Sequence, residues 1–389
     1  MTMRSRLAVT ISIAALFLQT GCWDHDELTE FGYVQAAAID AAEDGKLELT
    51  THFYRPSGGE QSGESGKSGK GGINIKTKAK TVFEAVRDIP IHFGRKAKWD
   101  HMRVILIGEE LAKKQNIGDI LDFFSRDHEP RDTISVLIAK GKASDYLDTK
   151  PLIEHTIGQQ MLKMEETTST YTAKTTHFLL LDLAIQLKSE TNTTLVPFMF
   201  SPNKQKEISI AGFAVIKDGK MRKTPLSPQA IPPLLMLINQ YDQGVLEIPC
   251  SDQALADKGM KEALEVKSLV TKLKTSIKDE SVSVHVTTKL SGSVAELRCS
   301  TVKTEEEQKK LEHTIQNQVE RDMRKTVERL QKEQLDVLGL GNSIYRKHPS
   351  LWKSWKPTWD KRFSEIRFDF KTEVNVVNTG TIVGTPFSK

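Results

Sequence analysis

Cysteine is scarce in this chain, with three in 389 residues. So few exclude a disulfide framework as the main source of stability. Cys250 and Cys299 also lack the near ligand partners that a zinc site needs in sequence. An excess of one charge is missing as well. Lys and Arg number 55 against 51 Asp and Glu, a net charge of +4, which argues against binding a polyanion by bulk field. Long apolar runs are missing too. The run Leu7–Leu18 has 12 residues, about 18 Å as a helix, whereas a bilayer core of about 30 Å needs about 20 apolar residues. No later stretch is long enough to span a membrane.

Signatures of catalysis are equally thin. The ten His never form H-E-x-x-H, and no G-x-S-x-G nucleophile elbow occurs. The neighbouring carboxylates Glu109/Glu110 and Glu165/Glu166 fall on expected helix or loop surfaces, where adjacent residues do not face each other. His25, in DHDE, reads as solvated surface, and HDEL at 25–28 is an address only at a C-terminus. GESGKS at 63–68 imitates a phosphate-binding loop. Its first glycine would stand at Gln61, and more glycines follow where a helix should start.

The N-terminus does carry a pattern. Arg4 and Arg6 precede the apolar run, and Thr20 and Gly21 precede Cys22. This is the shape of a secretion signal of the lipoprotein kind, with residues 1–21 removed and a covalent diacylglyceryl and N-acyl lipid on Cys22. One departure is Gln19, where Leu, Val or Ile normally stands. The expected mature body is soluble and outside the cytoplasm. There Cys250 and Cys299 could pair, but sequence alone does not give their distance.

Two modules follow, 22–200 and 201–389, the first open to division into two subdomains. GYVQAAAID, Asp44-Gly45 and KLELTTHFYRP read as a hairpin with Leu47, Leu49, Thr51 and Phe53 on one face. Residues 56–72 hold 7 Gly and 4 Ser in 17 positions, the composition of a mobile loop. RVILIG and TISVLIAKG read as buried strands, with a helix at 118–127 between them. In the second module, EISIAGFAVIKDGKM reads as strand, turn, strand. Thr304-x-x-Glu307 opens a long helix with Leu311, Ile315, Val319, Met323, Val327 and Leu330 at helical spacing. EIRFDFKTEVNVV alternates with one wet face. The expected fold class is therefore α+β, with mixed sheets, packed helices, and a C-terminal antiparallel sheet carrying one long helix.

The aromatic cluster HPSLWKSWKPTWDKRF is the best candidate for binding. Trp352, Trp355, Trp359 and Phe363 fall on one side of a helix broken at Pro357. They form either a partner platform or a core wedge, and buried area favours the wedge.

These pieces together resemble one family. GCWDHDELTEFGYVQAAAID is similar to the mature start of the Ger(x)C lipoproteins, the C subunits of nutrient germinant receptors in spore-forming bacteria. The likeness continues through WDHMRVILIGEELAKK, LDFFSRDHEPRDTISVLIAKGKASDYL and GFAVIKDGKM. It ends in GLGNSIYRKHPSLWKSWKPTWDKRFSEIRFDFKTEVNVVNTG. The 56–72 insertion and Cys250 and Cys299 are not features of that pattern. The resemblance implies a non-enzymatic α+β subunit without cofactor or metal, held by Cys22 on the outer face of the spore inner membrane. Its implied partners are two membrane-embedded subunits, A and B, with no nucleic acid. A solute-binding lipoprotein feeding a transporter is the alternative, and would need two similar lobes with a hinge.

Overall fold

The computed structural model describes Met3 and residues 27–56, 71–202, 207–222, 225–250, 253–378 and 384–386. Cys22, His25, the 63–68 motif and most of the 56–72 segment lie outside these residues.

Nine strands form the first sheet: β1 (Phe31–Ala41), β2 (Leu47–Tyr54), β3 (Gly72–Ala79), β4 (Lys96–Lys98), β5 (Val104–Gly108), β6 (Ser135–Ala139), β7 (Thr193–Phe200), β8 (Ser209–Lys217) and β9 (Lys220–Met221). Their order is β3-β2-β1-β5-β6-β7-β8-β9, with β4 paired to the start of β1. The expected β1–β2 hairpin is present, with Leu49 opposite Ile39 and Phe53 opposite Val34. Asp44 takes a left-handed conformation, φ 56°, in the connection. The centre is parallel: β1–β5, β5–β6 and β6–β7 all run the same way.

Parallel strands are covered on both faces, so their sequences are apolar throughout rather than alternating. Ile105 and Ile107 enter one core and Val104 and Leu106 the other. The first core lies under α1 (Val82–Arg87), α2 (Ile89–Phe93), α3 (Glu109–Lys114), α4 (Ile117–Arg126) and a later helix, α7 (Leu180–Leu187). The second lies under α5 (Ser144–Leu147) and α6 (Ile157–Thr172). Thr81 caps α1 by accepting from Glu84 N–H at 3.2 Å.

The second sheet runs β10 (Gly244–Pro249), β11 (Lys261–Lys278), β12 (Ser281–Glu296) and β13 (Arg367–Asn378) in spatial order. β10, β11 and β12 are antiparallel, as expected. The last strand departs from the expectation: β13 runs parallel to β12, with Val286 opposite Phe370. One face of β13 is exposed as its alternation predicts, but alternation reports faces and not direction. The long α10 (Glu305–Lys332) and its successors α11 (Leu340–Lys347), α12 (Pro349–Trp355) and α13 (Trp359–Ser364) form the crossover that parallel pairing requires.

All six expected apolar positions of α10, Leu311 through Leu330, are buried against the sheet. Its N-terminus carries the expected capping box between Thr304 and Glu307. α10 also satisfies donors of the edge strand β13. Glu320 accepts from Thr372 N–H at 2.9 Å and Glu312 from Val376 N–H at 2.9 Å. An edge so occupied cannot recruit another strand at those positions.

The two sheets are not independent. Leu195, Phe213 and Val215, from β7 and β8, share one core with α8 (Ile231–Leu237), α10 and the aromatic helices. The sheets also differ in size and topology, unlike the two similar lobes of a hinged solute receptor. The remaining short helix is α9 (Gln253–Asp257). No helix among the described residues is long and apolar enough to cross a membrane.

Candidate functional site

The aromatic cluster lies at the seam between the sheets. Trp352 and Trp355 are each 2% exposed, Trp359 3% and Phe363 0%, so none is a surface platform. Pro349 opens α12, and a turn at Lys356–Thr358 holding Pro357 breaks it from α13. The Trp352 and Trp359 rings meet edge to face, with centroids 5.2 Å apart. Gly341 permits this packing, since a Cβ there would come within 2.8 Å of Trp352, Trp359 and Thr191 atoms.

Two of the three indole N–H groups at the seam meet carboxylates. Trp352 donates to Glu190 at 2.7 Å, and Trp359 to Asp336 at 3.0 Å. Glu190 precedes β7 and also accepts from Lys356 at 2.8 Å. The hydrogen bonds from Lys356 and Trp352 hold its carboxyl below the usual range. Next to it, Asn342 of α11 takes Thr191 N–H at 3.2 Å and donates to Thr191 Oγ1 at 3.1 Å. Lys217, at the end of β8 and 8% exposed, pairs with Asp360 of α13. Apart from Trp359–Asp336, 23 positions apart, these polar links join residues 143 to 166 positions apart, and no local pattern in the sequence points to them.

Buried carboxylates elsewhere serve the same kind of purpose. Asp40 accepts from the N–H groups of Ala143 and Ser144 at 2.7 and 2.9 Å. Glu262 accepts from Cys299 and Ser300 N–H at 3.2 and 2.7 Å. Asp336 accepts from Leu340 and Gly341 N–H at 3.0 and 2.7 Å, besides Trp359. Burial pushes the Asp336 carboxyl above its ordinary value, and these donors pull it back. Glu165 corrects an expectation: it is fully buried rather than on the surface. It accepts from Phe178 N–H at 3.0 Å and meets His177 Nδ1 at 3.1 Å. Glu110 is a surface group and Glu109 is half-buried, also accepting from Gly141 N–H at 3.3 Å; along the helix Glu109 pairs with Lys113 and Glu110 with Lys114. A carboxylate committed to backbone donors holds loops in place and is poorly placed to move protons.

Cys250 and Cys299 are joined in a disulfide, with Cα atoms 5.9 Å apart, which closes the pairing that sequence left open. No group of three or more His, Cys, Asp or Glu side chains able to hold a metal occurs among the described residues. A cleft of about 900 Å³ separates the end of α6 from α8, β10 and α10. Among its charged groups, Glu247 pairs with Lys261, and Asp322 accepts from the neutral Gln318 amide.

Fold and seam thus define an α+β protein of two unlike sheets tied by a buried aromatic and polar junction. Comparison with known proteins places it more closely. Residues 24–200 match the family model described as the spore germination protein N-terminal domain. Residues 211–380 match the one described as spore germination B3/GerAC like, C-terminal. The chain belongs to the Ger(x)C family of spore germination proteins. It is 26% identical to spore germination protein B3 of Bacillus subtilis (strain 168), over 98% of this chain and 100% of the relative. It is 24% identical to spore germination protein KC of the same organism, over 97% and 96%. The crystal structure of the GerBC protein superposes with a TM-score of 0.58 at 23% identity, covering 91% of this chain and 100% of that one. That likeness confirms the α+β fold of mixed sheets.

Proposed function

We propose that this chain is the lipid-anchored C subunit of a nutrient germinant receptor. It works beside two membrane-embedded subunits, A and B, on the outer face of the spore inner membrane, as a non-enzymatic partner without cofactor. The observation that carries this reading is Gly21-Cys22-Trp23, two residues after a short apolar run and directly before the span that matches the germination family. A diacylglyceryl group has two acyl chains, and each buried CH₂ contributes about 0.8 kcal/mol, so the pair holds a folded domain at the membrane. Confinement there raises its concentration near membrane partners to roughly millimolar.

The test is Cys22→Ala, expressed in spores lacking the native subunit. Mass spectrometry of the wild-type chain is expected to find an acylated Cys22 as the N-terminus. The variant is expected to leave the membrane fraction, and nutrient-triggered germination to drop sharply. An unmodified wild-type N-terminus removes the anchor. A variant that stays in the membrane and responds fully shows that something else ties the chain to its receptor.

A further inference from the structure

Leu152 and Ile153 are consecutive and stand 83% and 91% exposed. They are not on a loose tail. Both backbone N–H groups donate to Gln160 Oε1 at 3.2 Å, so the first turns of α6 hold the loop. On the other side the His155 carbonyl lies so close to Gly71 that a Cβ there would fall 1.8 Å from it. Asn74 fixes the approach to the loop by donating to Leu147 O and Asp148 Oδ1, each at 3.1 Å. Two aliphatic side chains are thus displayed to water by an ordered scaffold, at a standing cost unless something covers them.

The register of the first sheet says which end of the molecule this is. Gly72, next to the loop's contact, pairs with Tyr54 at the end of β2. Phe53 in turn pairs with Val34, near the start of β1. The loop therefore sits at the sheet end where the chain enters. Other apolar groups share that end: Leu28 is 76% exposed, Tyr54 40% and Ile73 36%. Arg55 and Lys150, both exposed, line a shallow cleft of about 400 Å³ beside the loop.

Five chain steps separate Cys22 from Glu27, where the described body begins. Fully extended they reach at most about 18 Å. If acyl chains on Cys22 sit in a bilayer, this end of the sheet stays within about 18 Å of its surface. We propose that Leu152 and Ile153 insert into that bilayer, with Arg55 and Lys150 at the depth of anionic headgroups. Lipid anchor and loop then hold the body at two points, which fixes its orientation as one tether cannot. The proposal rests on the anchor reading and adds a lipid-binding surface to it.

The experiment uses the full acylated chain in vesicles of phosphatidylglycerol and phosphatidylethanolamine. A nitroxide is placed by Leu152→Cys, and in a control by Lys309→Cys, on the outer side of α10. The label at 152 is expected to collide more with oxygen than with an aqueous nickel complex, and the control to show the reverse. In the acylated chain, Ile153→Asp is expected to return the label at 152 to the aqueous signature while Cys22 stays acylated. With Cys22 shown acylated by mass spectrometry, an aqueous signal at 152 overturns the inserted loop and leaves the anchor standing. An unacylated Cys22 with immersion at 152 does the opposite. Shielding of the label only when the membrane subunits are reconstituted alongside makes the loop a protein contact and overturns the proposal.

Discussion

The indole of Trp359 donates to the carboxylate of Asp336 over 3.0 Å, with both residues buried. The bond ties α13 to the turn that starts α11, because the same carboxylate holds Leu340 and Gly341 N–H. Trp359→Ala is expected to cost about 3–5 kcal/mol, through the cavity as well as the lost bond. Trp359→Phe keeps most of the packing and removes the donor, for about 1–3 kcal/mol. Urea unfolding of the two variants checks this. Unchanged stability with impaired germination would instead make the tryptophan part of a partner surface.

Lys217 and Asp360 should respond asymmetrically. The lysine side chain is 7% exposed and the aspartate side chain 50%. Asp360→Asn strands a buried ammonium and is expected to destabilise by about 1–3 kcal/mol. Lys217→Met leaves a carboxylate that water can reach and is expected to be near neutral. Thermal melts of both at one ionic strength decide it, and the reverse order would show that the carboxylate is the group that depends on the pair.

Two histidines should tilt stability with pH in opposite directions. Burial lowers the His52 pKa, against the raising effects of Asn74 and Asp148. Its contribution is therefore complete above the unfolded value of about 6.5 and is lost as pH falls through the lower folded value. His177 is raised, chiefly by its bond to Glu165. Its contribution is complete below about 6.5 and fades as pH rises through the folded value. Chemical denaturation between about pH 5 and 8, on His52→Gln and His177→Gln beside the wild type, should show gaps that grow in opposite directions. Parallel profiles for all three proteins would refute both assignments.

The Cys250–Cys299 bond closes a loop of 49 positions. Chain entropy gives such a closure roughly 4 kcal/mol. The double substitution to serine is expected to lower unfolding free energy by about 3–4 kcal/mol. A reductant should lower the wild-type midpoint and leave the variant unmoved. A wild type insensitive to reductant after full reduction of the bond, verified by thiol counting, contradicts this.

Sequence made the elements legible where one local pattern had one physical cause. The stripe from Leu311 to Leu330 is a helix with a buried face, and its positions are those found buried. The β1–β2 hairpin followed from the Asp44-Gly45 turn between two apolar runs. What stayed hidden depends on distance along the chain. The direction of β13 is set by the crossover through α10 to α13, not by its own alternation. Glu190, Lys217, Asn342 and Asp360 look like ordinary surface residues in sequence, and only folding brings them to the tryptophans. The burial of Glu165 is hidden in the sequence for a related reason. A carboxylate sits buried when backbone donors surround it, and the letters of a sequence do not show which N–H groups are left over.

Because β13 comes after α10 to α13 in the chain and is an immediate neighbour of β12, the second core stays open until synthesis has passed Asn378. Synthesis delivers α10 first, so its apolar stripe waits for part of its partner surface, exposed to whatever else is nearby. A premature stop anywhere before Arg367 deletes the strand against which Glu312 and Glu320 are placed, and leaves β12 as a bare edge. Such a shortened chain is a substrate for proteolysis and aggregation rather than a smaller working protein, so even late nonsense mutations should act as full losses of the polypeptide.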